Sequence, residues 1–440
     1  MKRILLRSPK DPFEVVSPRT VYERNLIGNN AGNLVFIQAT HRILARRGVE
    51  IETDDFMGDA RRASMVNERF GVCVIPLANA FRISNEAGLR RMVRFIERLT
   101  IPVVILGVGA QSNEHFSFDY QKPIEPLVRQ FVSAVLDRGP SIGVRGEMTA
   151  EYLRKLGFSD IEVIGCPSMF LHGDRLSVEK RQPTLDRTAN VSINVSPYVT
   201  AMGPIVMSHL DRYPNLTYIP QDLDTLGLLI RGDDSANTDG HAGPMPFHVS
   251  HPLFERGKVR FYVEPWPWMN DLAGADFSFG TRIHGNIAAL LAGTPAYVFA
   301  HDSRTLELAR YFRIPHRLMS QVPEDVDAAD LHEEADFSEM NSGHAARFAT
   351  FAEYLGRHGV GHVFANGEDP GAFEQRIAAT DFPPAVISSR AVARPASLAG
   401  RLHRARYHIA VAADGSRDQA GVVLRRNRKR LGRWRRRLFS

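Results

Sequence analysis

Short apolar runs without a polar face alternate in this chain with segments of helical periodicity, and the connections between them are brief. FGVCVIP (70–76), IPVVILGVG (101–109), SIGVR (141–145) and IEVIG (161–165) read as buried strands. A strand that is apolar on both faces has to be covered on both faces, which favours a parallel sheet between layers of helices. Helix-period segments at 33–47, 86–99, 127–137 and 146–157 supply that cover.

A polar stretch, EKRQPTLDRTAN (179–190), interrupts the pattern and reads as a linker, after which the alternation resumes. Strands are expected at 191–196, 215–220, 259–263, 276–280 and 295–300, with helices at 268–275 and 285–293. The expected fold class is therefore α/β with two Rossmann-like lobes, similar in plan to the GT-B glycosyltransferases. The expected division is an N-terminal lobe (1–180), a C-terminal lobe with the donor site (190–320), a helical return segment (321–390) and a basic amphipathic tail (391–440). Two such lobes place a cleft between the carboxyl ends of their strands.

Charge is divided unevenly. Residues 391–440 carry 14 Lys or Arg and two acids, whereas the remainder carries 41 bases against 47 acids. Leu424, Leu431, Trp434 and Leu438 fall near one helical stripe among those arginines, a pattern suited to an anionic membrane surface. A disordered basic end and nucleic-acid binding are the competing readings of the tail, and the body adds no nucleic-acid signal. Cys73 and Cys166 are lone thiols in apolar surroundings, which points to a reducing compartment. The N-terminal MKRILLRSP is too short in apolar residues for a signal peptide, and no run long enough to span a membrane is present. The expected location is cytoplasmic, peripheral on the inner membrane through the tail.

The segment FGTRIHGNIAALLAGTP (279–295) places Thr281, Arg282, Ile283 and His284 in a turn between a strand and a helix of small residues. Free backbone N–H groups at such a helix start favour an anion, Arg282 adds a fork that fits phosphate or carboxylate, and His284 can donate a proton near neutral pH. Asn30-Ala31-Gly32-Asn33 forms a glycine turn before the first helix, and Gly107 to Ser112 forms another after a buried strand. Arg145 ends a strand, while Asp302 and Arg304 follow the strand after the small-residue helix.

In their order these motifs resemble the polysaccharide pyruvyl transferase family, over roughly residues 25–315. Asn30, Gly32 and Asn33 match its early N-x-G-D loop, and Gly107 to Ser112 match its middle G-x-G/Q-S turn. Val144-Arg145 and Cys166-Pro167-Ser168 match its V-R and D-P-A/S segments. Gly280, Arg282, His284, Gly285, Gly293 and Pro295 match G-x-R-x-H-G with the later G-x-P, and Asp302 with Arg304 match an acidic-x-Lys position. Asn33 and Cys166 each stand where the family has Asp, and Arg304 stands in place of Lys. The resemblance implies phosphoenolpyruvate as donor substrate with no bound cofactor, a glycan or lipid-linked oligosaccharide as acceptor, and formation of a pyruvate ketal. It implies catalytic roles for His284, Arg282 and Asp302, donor binding by Arg145, Arg282, His284, Gly285 and Arg304, and acceptor binding by Asn30, Gly32, Asn33, Gly109 and Gln111.

His241, His248 and His251 lie near one another, but without matching carboxylates or cysteines they do not read as a metal site. Trp266 and Trp268 flank Pro267, where they could stack on a sugar ring or pack at a hinge. A nucleotide-sugar glycosyltransferase is the alternative on the same scaffold, and it would need a carboxylate in the second lobe to grip a ribose, with Glu264, Asp271 and Asp276 as candidates. A non-catalytic carbohydrate- or membrane-binding protein is the third reading.

Overall fold

The computed structural model describes residues 2–56, 58–112, 117–232 and 244–387. In the first lobe β1 (Lys2–Leu6), β2 (Val49–Thr53), β3 (Val72–Pro76) and β4 (Val103–Leu106) form a parallel sheet ordered β2-β1-β3-β4. Next come β5 (Ile142–Val144) and β6 (Ile161–Val163), paired with each other. The N–H groups of Gly107 and Val108 donate to the Gly143 carbonyl at 3.1 and 3.2 Å, which joins the end of β4 to β5. In the second lobe β7 (Val191–Asn194), β8 (Thr217–Tyr218), β9 (Phe277–Gly280), β10 (Ala296–Ala300) and β11 (His316–Leu318) form a parallel sheet ordered β11-β10-β9-β7-β8. This is the expected α/β class.

The local chemistry explains the layers. All of β4 is inaccessible to solvent, and so are most of β9 and β10. The helix Glu86–Ile96 buries Leu89, Met92, Val93, Phe95 and Ile96 along one face and turns its arginines outward. The long helix Ser338–Arg357 returns to the first lobe, where the Tyr354 hydroxyl donates to Ile105 O (2.7 Å) and accepts from Gly143 N (3.0 Å). Residues 391–440, including the stripe of Leu424, Leu431, Trp434 and Leu438, lie outside the described residues. Among the described residues no helix is long and apolar enough to cross a membrane.

One expected strand does not form, and one strand forms that was not expected. Residues 259–263 make only isolated bridges, Val259 to Tyr218 and Phe261 to Val386, because the neighbouring β8 is two residues long and offers little edge to pair with. The N-terminal segment, read only for its lack of a leader, is β1, flanked by β2 and β3.

Buried polar contacts stitch the lobes together. Lys10 and Glu264 form an ion pair at 2.8 Å, with side chains 2% and 0% exposed, and Gln38 donates to the same carboxylate at 3.0 Å. Ser112 N donates to Ser303 Oγ at 2.7 Å, and Glu307 accepts from the Thr149 N–H and hydroxyl at 3.0 and 2.8 Å. Cys73 and Cys166 are free and buried.

One glycine is required by close approach as well as by conformation. Gly280 ends β9 at φ +144, and a Cβ there would stand 1.9 Å from the Asn194 carbonyl oxygen. Gly48, at φ +72, has nothing within 4 Å of a Cβ. Gly280→Ala is therefore expected to destabilise by more than about 3 kcal/mol, and Gly48→Ala by only about 1 kcal/mol, in urea unfolding. Equal losses would contradict the packing assigned to the end of β9.

Candidate active site

The carboxyl ends of both sheets face one cavity of about 680 Å3. Arg7 follows β1, Asp54 follows β2, Leu77 to Asn79 follow β3 and Arg145 follows β5. From the second lobe Tyr198 follows β7, Asp222 follows β8, Arg282 follows β9 and Arg304 follows β10. This is where ligands bind in open α/β sheets.

The strand-to-helix turn is tighter than the sequence suggests. The helix runs Ile283–Leu291, so Arg282 is its N-cap and His284 lies in its first turn, not in a loop before it. Gly280 allows this reversal, and Asn194 Oδ1 accepts from Arg282 N at 2.8 Å. The Arg282 guanidinium pairs with Asp222.

His284 is 8% exposed, with Nε2 3.5 Å from Cys166 Sγ and its ring 5.3 Å from that of Phe36. Burial, with Arg145 and Arg304 adding like-charge repulsion, pushes its pKa down to about 3. At neutral pH it is an uncharged imidazole. Burial pushes the Cys166 thiol up, so the group beside His284 is a neutral thiol.

Arg145 is 2% exposed. Its Nε donates to Gly107 O at 3.2 Å and its Nη2 has no partner. Among the described residues it makes no ion pair within 4 Å, so a buried guanidinium faces the cavity without a directly paired counter-charge. Beneath it Glu307 is 4% exposed, and burial raises its pKa to about 7 despite Arg145. Arg304 donates from Nε to Asp302 at 2.7 Å and from Nη2 to the Tyr198 hydroxyl at 3.0 Å, and those partners raise its pKa.

Asp302 takes a different part from the catalytic one expected of it. Its carboxylate caps the helix Ser303–Phe312 by accepting from Thr305 N (3.0 Å) and Thr305 Oγ1 (2.9 Å), and it holds Arg304. Against the cost of burial, Arg304 and His301 keep its pKa down at about 2, and it does not line the cavity. It is a positioning group with little affinity for a proton.

The expected acceptor residues divide in two. Asn30, Asn33 and Gln111 line the cavity. Asn30 Oδ1 accepts from Gly32 N at 2.7 Å, and the Asn33 amide donates to Ile27 O and Gly28 O at 3.0 and 3.2 Å, which an ionised aspartate could not do. Gly32 and Gly109 do not line it, and neither does Gly285, which was expected on the donor side. A Cβ on Gly32 would stand 2.7 Å from Gln221 and 2.9 Å from His284, one on Gly285 2.5 Å from Gln221, and one on Gly109 2.6 Å from Arg145. These glycines let the two lobes and the buried arginine approach each other.

Sequence reasoning passed over Arg7, Arg82, Arg91, Asp54 and Asp222, all of which line the cavity. A signal for Arg7 existed, since Ile4-Leu5-Leu6 is a short apolar run ended by a base. The Asn79 amide, oriented to accept from both, places its oxygen 3.0 Å from Arg82 Nη1 and 3.2 Å from Arg304 Nη1.

Other candidates lie elsewhere. Trp266 packs on Phe373 and Trp268 stacks on Tyr262, and neither lines the cavity. His251 caps a short helix and His248 bonds Ser250, while His241 lies outside the described residues. No cluster of three or more potential ligands for a metal occurs among the described residues.

A family model described as polysaccharide pyruvyl transferase matches residues 30–303, the stretch from the Asn30 turn to the helix behind Arg304. The chain belongs to the polysaccharide pyruvyl transferase family. No curated protein matches it. Solved structures similar to this pyruvyl transferase family member include a UDP-GlcNAc 2-epimerase from Neisseria meningitidis bound to UDP-GlcNAc. That match has 8% identity and a TM-score of 0.39, covering 86% of this chain and 100% of that one. The Methanocaldococcus jannaschii UDP-GlcNAc 2-epimerase, in complex with UDP-GlcNAc and UDP, matches at 10% identity and a TM-score of 0.40, covering 86% and 100%. An uncharacterised Klebsiella pneumoniae protein matches at 11% identity and a TM-score of 0.36, covering 70% and 88%.

Glu307 makes the stability of this pyruvyl transferase family member depend on pH. The folded protein keeps the Glu307 proton up to about pH 7, whereas the unfolded chain releases it near the ordinary value of 4.5. Stability through this group is therefore full below 4.5 and falls as pH rises towards 7. We expect Glu307→Gln to remove a fall of order 2–3 kcal/mol across that window, read as the difference between wild-type and variant urea midpoints over pH. His284 contributes the opposite slope in both proteins and cancels in the difference. Parallel profiles would contradict the raised pKa.

Proposed function

We propose that this protein transfers the enolpyruvyl group of phosphoenolpyruvate to two hydroxyls of a glycan, forming a pyruvate ketal and releasing phosphate. The observation that carries the reading is the unpaired, buried Arg145 beside Arg304 and His284 at the cavity wall. A small, multiply charged anion would neutralise what burial leaves exposed to no counter-charge, and Arg145 with Arg304 suits a phosphate and a carboxylate on one three-carbon skeleton.

The chemistry follows from the groups present. A proton delivered to C3 turns the enol phosphate into a cation centred on C2. One sugar hydroxyl adds at C2 and loses its proton, the C–O bond to phosphate breaks with the electron pair leaving on phosphate, and a second hydroxyl closes the ring. Of the two hydroxyl protons released, one replaces the proton consumed at C3 and one leaves on hydrogen phosphate.

His284 supplies the C3 proton in this scheme, although it rests neutral. Its low pKa comes from burial and from Arg145 and Arg304, so an anion lying between those arginines cancels the repulsion and raises the pKa. Donor binding thus moves the acid towards its charged form. Asp222 is the better placed base: it lines the cavity, and burial raises its pKa in spite of Arg282. Arg282 then orients that carboxylate. Glu264, Asp271 and Asp276, the carboxylates that a nucleotide-sugar reading would use, are engaged with Lys10, Tyr262 and Asn190 and do not line the cavity. The acceptor in this reading is a glycan or its lipid-linked precursor, with the basic residues of 391–440 attracted to an anionic membrane surface.

The test is phosphate release from phosphoenolpyruvate with a panel of glycosides, run beside calorimetry in buffers of different ionisation enthalpy. Release should require an acceptor and fall by roughly 100-fold or more in His284→Asn. Donor binding at pH 7 should take up a proton in the wild type and not in that variant. Absence of release with every acceptor, together with thermal stabilisation by a nucleotide sugar instead, would overturn the proposal.

A further inference from the structure

The cations lining the cavity are not gathered at one point. Six arginines line it against two carboxylates, Asp54 and Asp222, and the latter is taken by Arg282. The remaining cations fall into two groups. Arg145 is acted on by Cys166, Glu307, Arg304 and Asp302, and Arg82 by Arg304 and Tyr198, which makes one group at the donor end. Arg7 is acted on instead by Asp54 and Arg91, and neither Arg145 nor Arg304 is among the charges that reach it.

The second group is built rather than incidental. Arg7 leaves β1, flanked on both sides in its sheet, and its guanidinium lies 4.5 Å over the Phe56 ring. That cation–ring contact holds the guanidinium over one face of Phe56 without using its N–H groups as hydrogen-bond donors to a side chain. Its side chain has no hydrogen bond or ion pair within 4 Å among the described residues. Asp54, the nearby carboxylate, is committed to backbone, accepting from Ser8 N at 3.1 Å and Phe56 N at 3.0 Å. Arg91 reaches the same wall from the exposed face of the helix Glu86–Ile96.

We propose that Arg7 and Arg91 form a second oxyanion subsite, which holds a phosphate group carried by the acceptor sugar. The proposal rests on the pyruvyl-transfer reading for the word acceptor, and on the two separate cation groups for the site. Two arginines less one backbone-bound aspartate suit a phosphate in a sugar diphosphate better than a neutral glycan, which would leave Arg7, half-buried over Phe56, without a charged partner. The same chemistry is offered by a nucleotide-linked and by a lipid-linked sugar.

Inorganic pyrophosphate is the probe, titrated calorimetrically into the full-length protein with and without saturating phosphoenolpyruvate. Pyrophosphate should still bind when the donor site is full. Its affinity should fall at least 10-fold in Arg91→Gln, a surface substitution that leaves the fold intact, and in Arg7→Gln. Arg145→Gln should weaken phosphoenolpyruvate and leave the second pyrophosphate in place. A uridine diphosphate sugar and a short-chain isoprenyl diphosphate sugar are then set against bound pyrophosphate, and the one that displaces it names the carrier. One-for-one displacement of pyrophosphate by phosphoenolpyruvate, wild-type affinity in both Arg7→Gln and Arg91→Gln, or displacement by neither sugar would overturn the subsite. Failure of phosphoenolpyruvate itself to bind would instead remove the donor reading, since the variants are also compared without it.

Discussion

The buried guanidinium of Arg145 is the constraint around which the two lobes are arranged. Removing a charge from water without a paired counter-charge costs several kcal/mol even after the surroundings relax. Here one N–H bonds Gly107 O and another has no partner at all. Burial, with the like charge of Arg145 and Arg304, makes His284 give up its proton, while burial makes Glu307 hold its own to about pH 7 in spite of Arg145. A fold that tolerates such a group has stored an electrostatic demand for an anion at one point on the cavity wall.

Holding that demand in place takes close packing. Gly109 lets the Arg145 stem lie against the turn after β4, and Gly32 and Gly285 let the helices Gly32–Leu44 and Ile283–Leu291 meet across Gln221. The Glu307 to Thr149 and Ser303 to Ser112 bonds tie the helix behind Arg304 to the first lobe. Motif glycines that look like ligand-binding turns thus act one step away, by setting how near the charged side chains come. Cys166 extends the same logic, since a neutral thiol beside His284 leaves the imidazole's proton to be governed by whatever lies between Arg145 and Arg304.

Much of this was legible in the chain. The apolar runs at 70–76 and 101–109 have no face to show water, so their burial in a parallel sheet followed from composition alone. Arg145, Arg282 and Arg304 each end or follow such a run, and the topology then brings strand ends together. β1 was hidden because its apolar core is only Ile4-Leu5-Leu6 between bases, and what makes it a strand is pairing with β2 and β3 far along the chain. Arg7 was lost with it. Arg82 and Arg91 lie on or near an amphipathic helix, where bases ordinarily mark the solvent side. Asp302 misled for a different reason: a carboxylate next to a functional arginine reads as chemistry, and only the geometry reveals a helix cap.

The most direct test of the account is the stability of Arg145→Met, alone and with phosphoenolpyruvate. If the guanidinium is an unmet buried charge, the variant without ligand should be as stable as the wild type or more so, by up to about 1–4 kcal/mol in urea unfolding. Phosphoenolpyruvate should then stabilise the wild type and leave the variant unchanged. A variant that loses stability like any core substitution, yet is still protected by phosphoenolpyruvate, would contradict the central role given to Arg145.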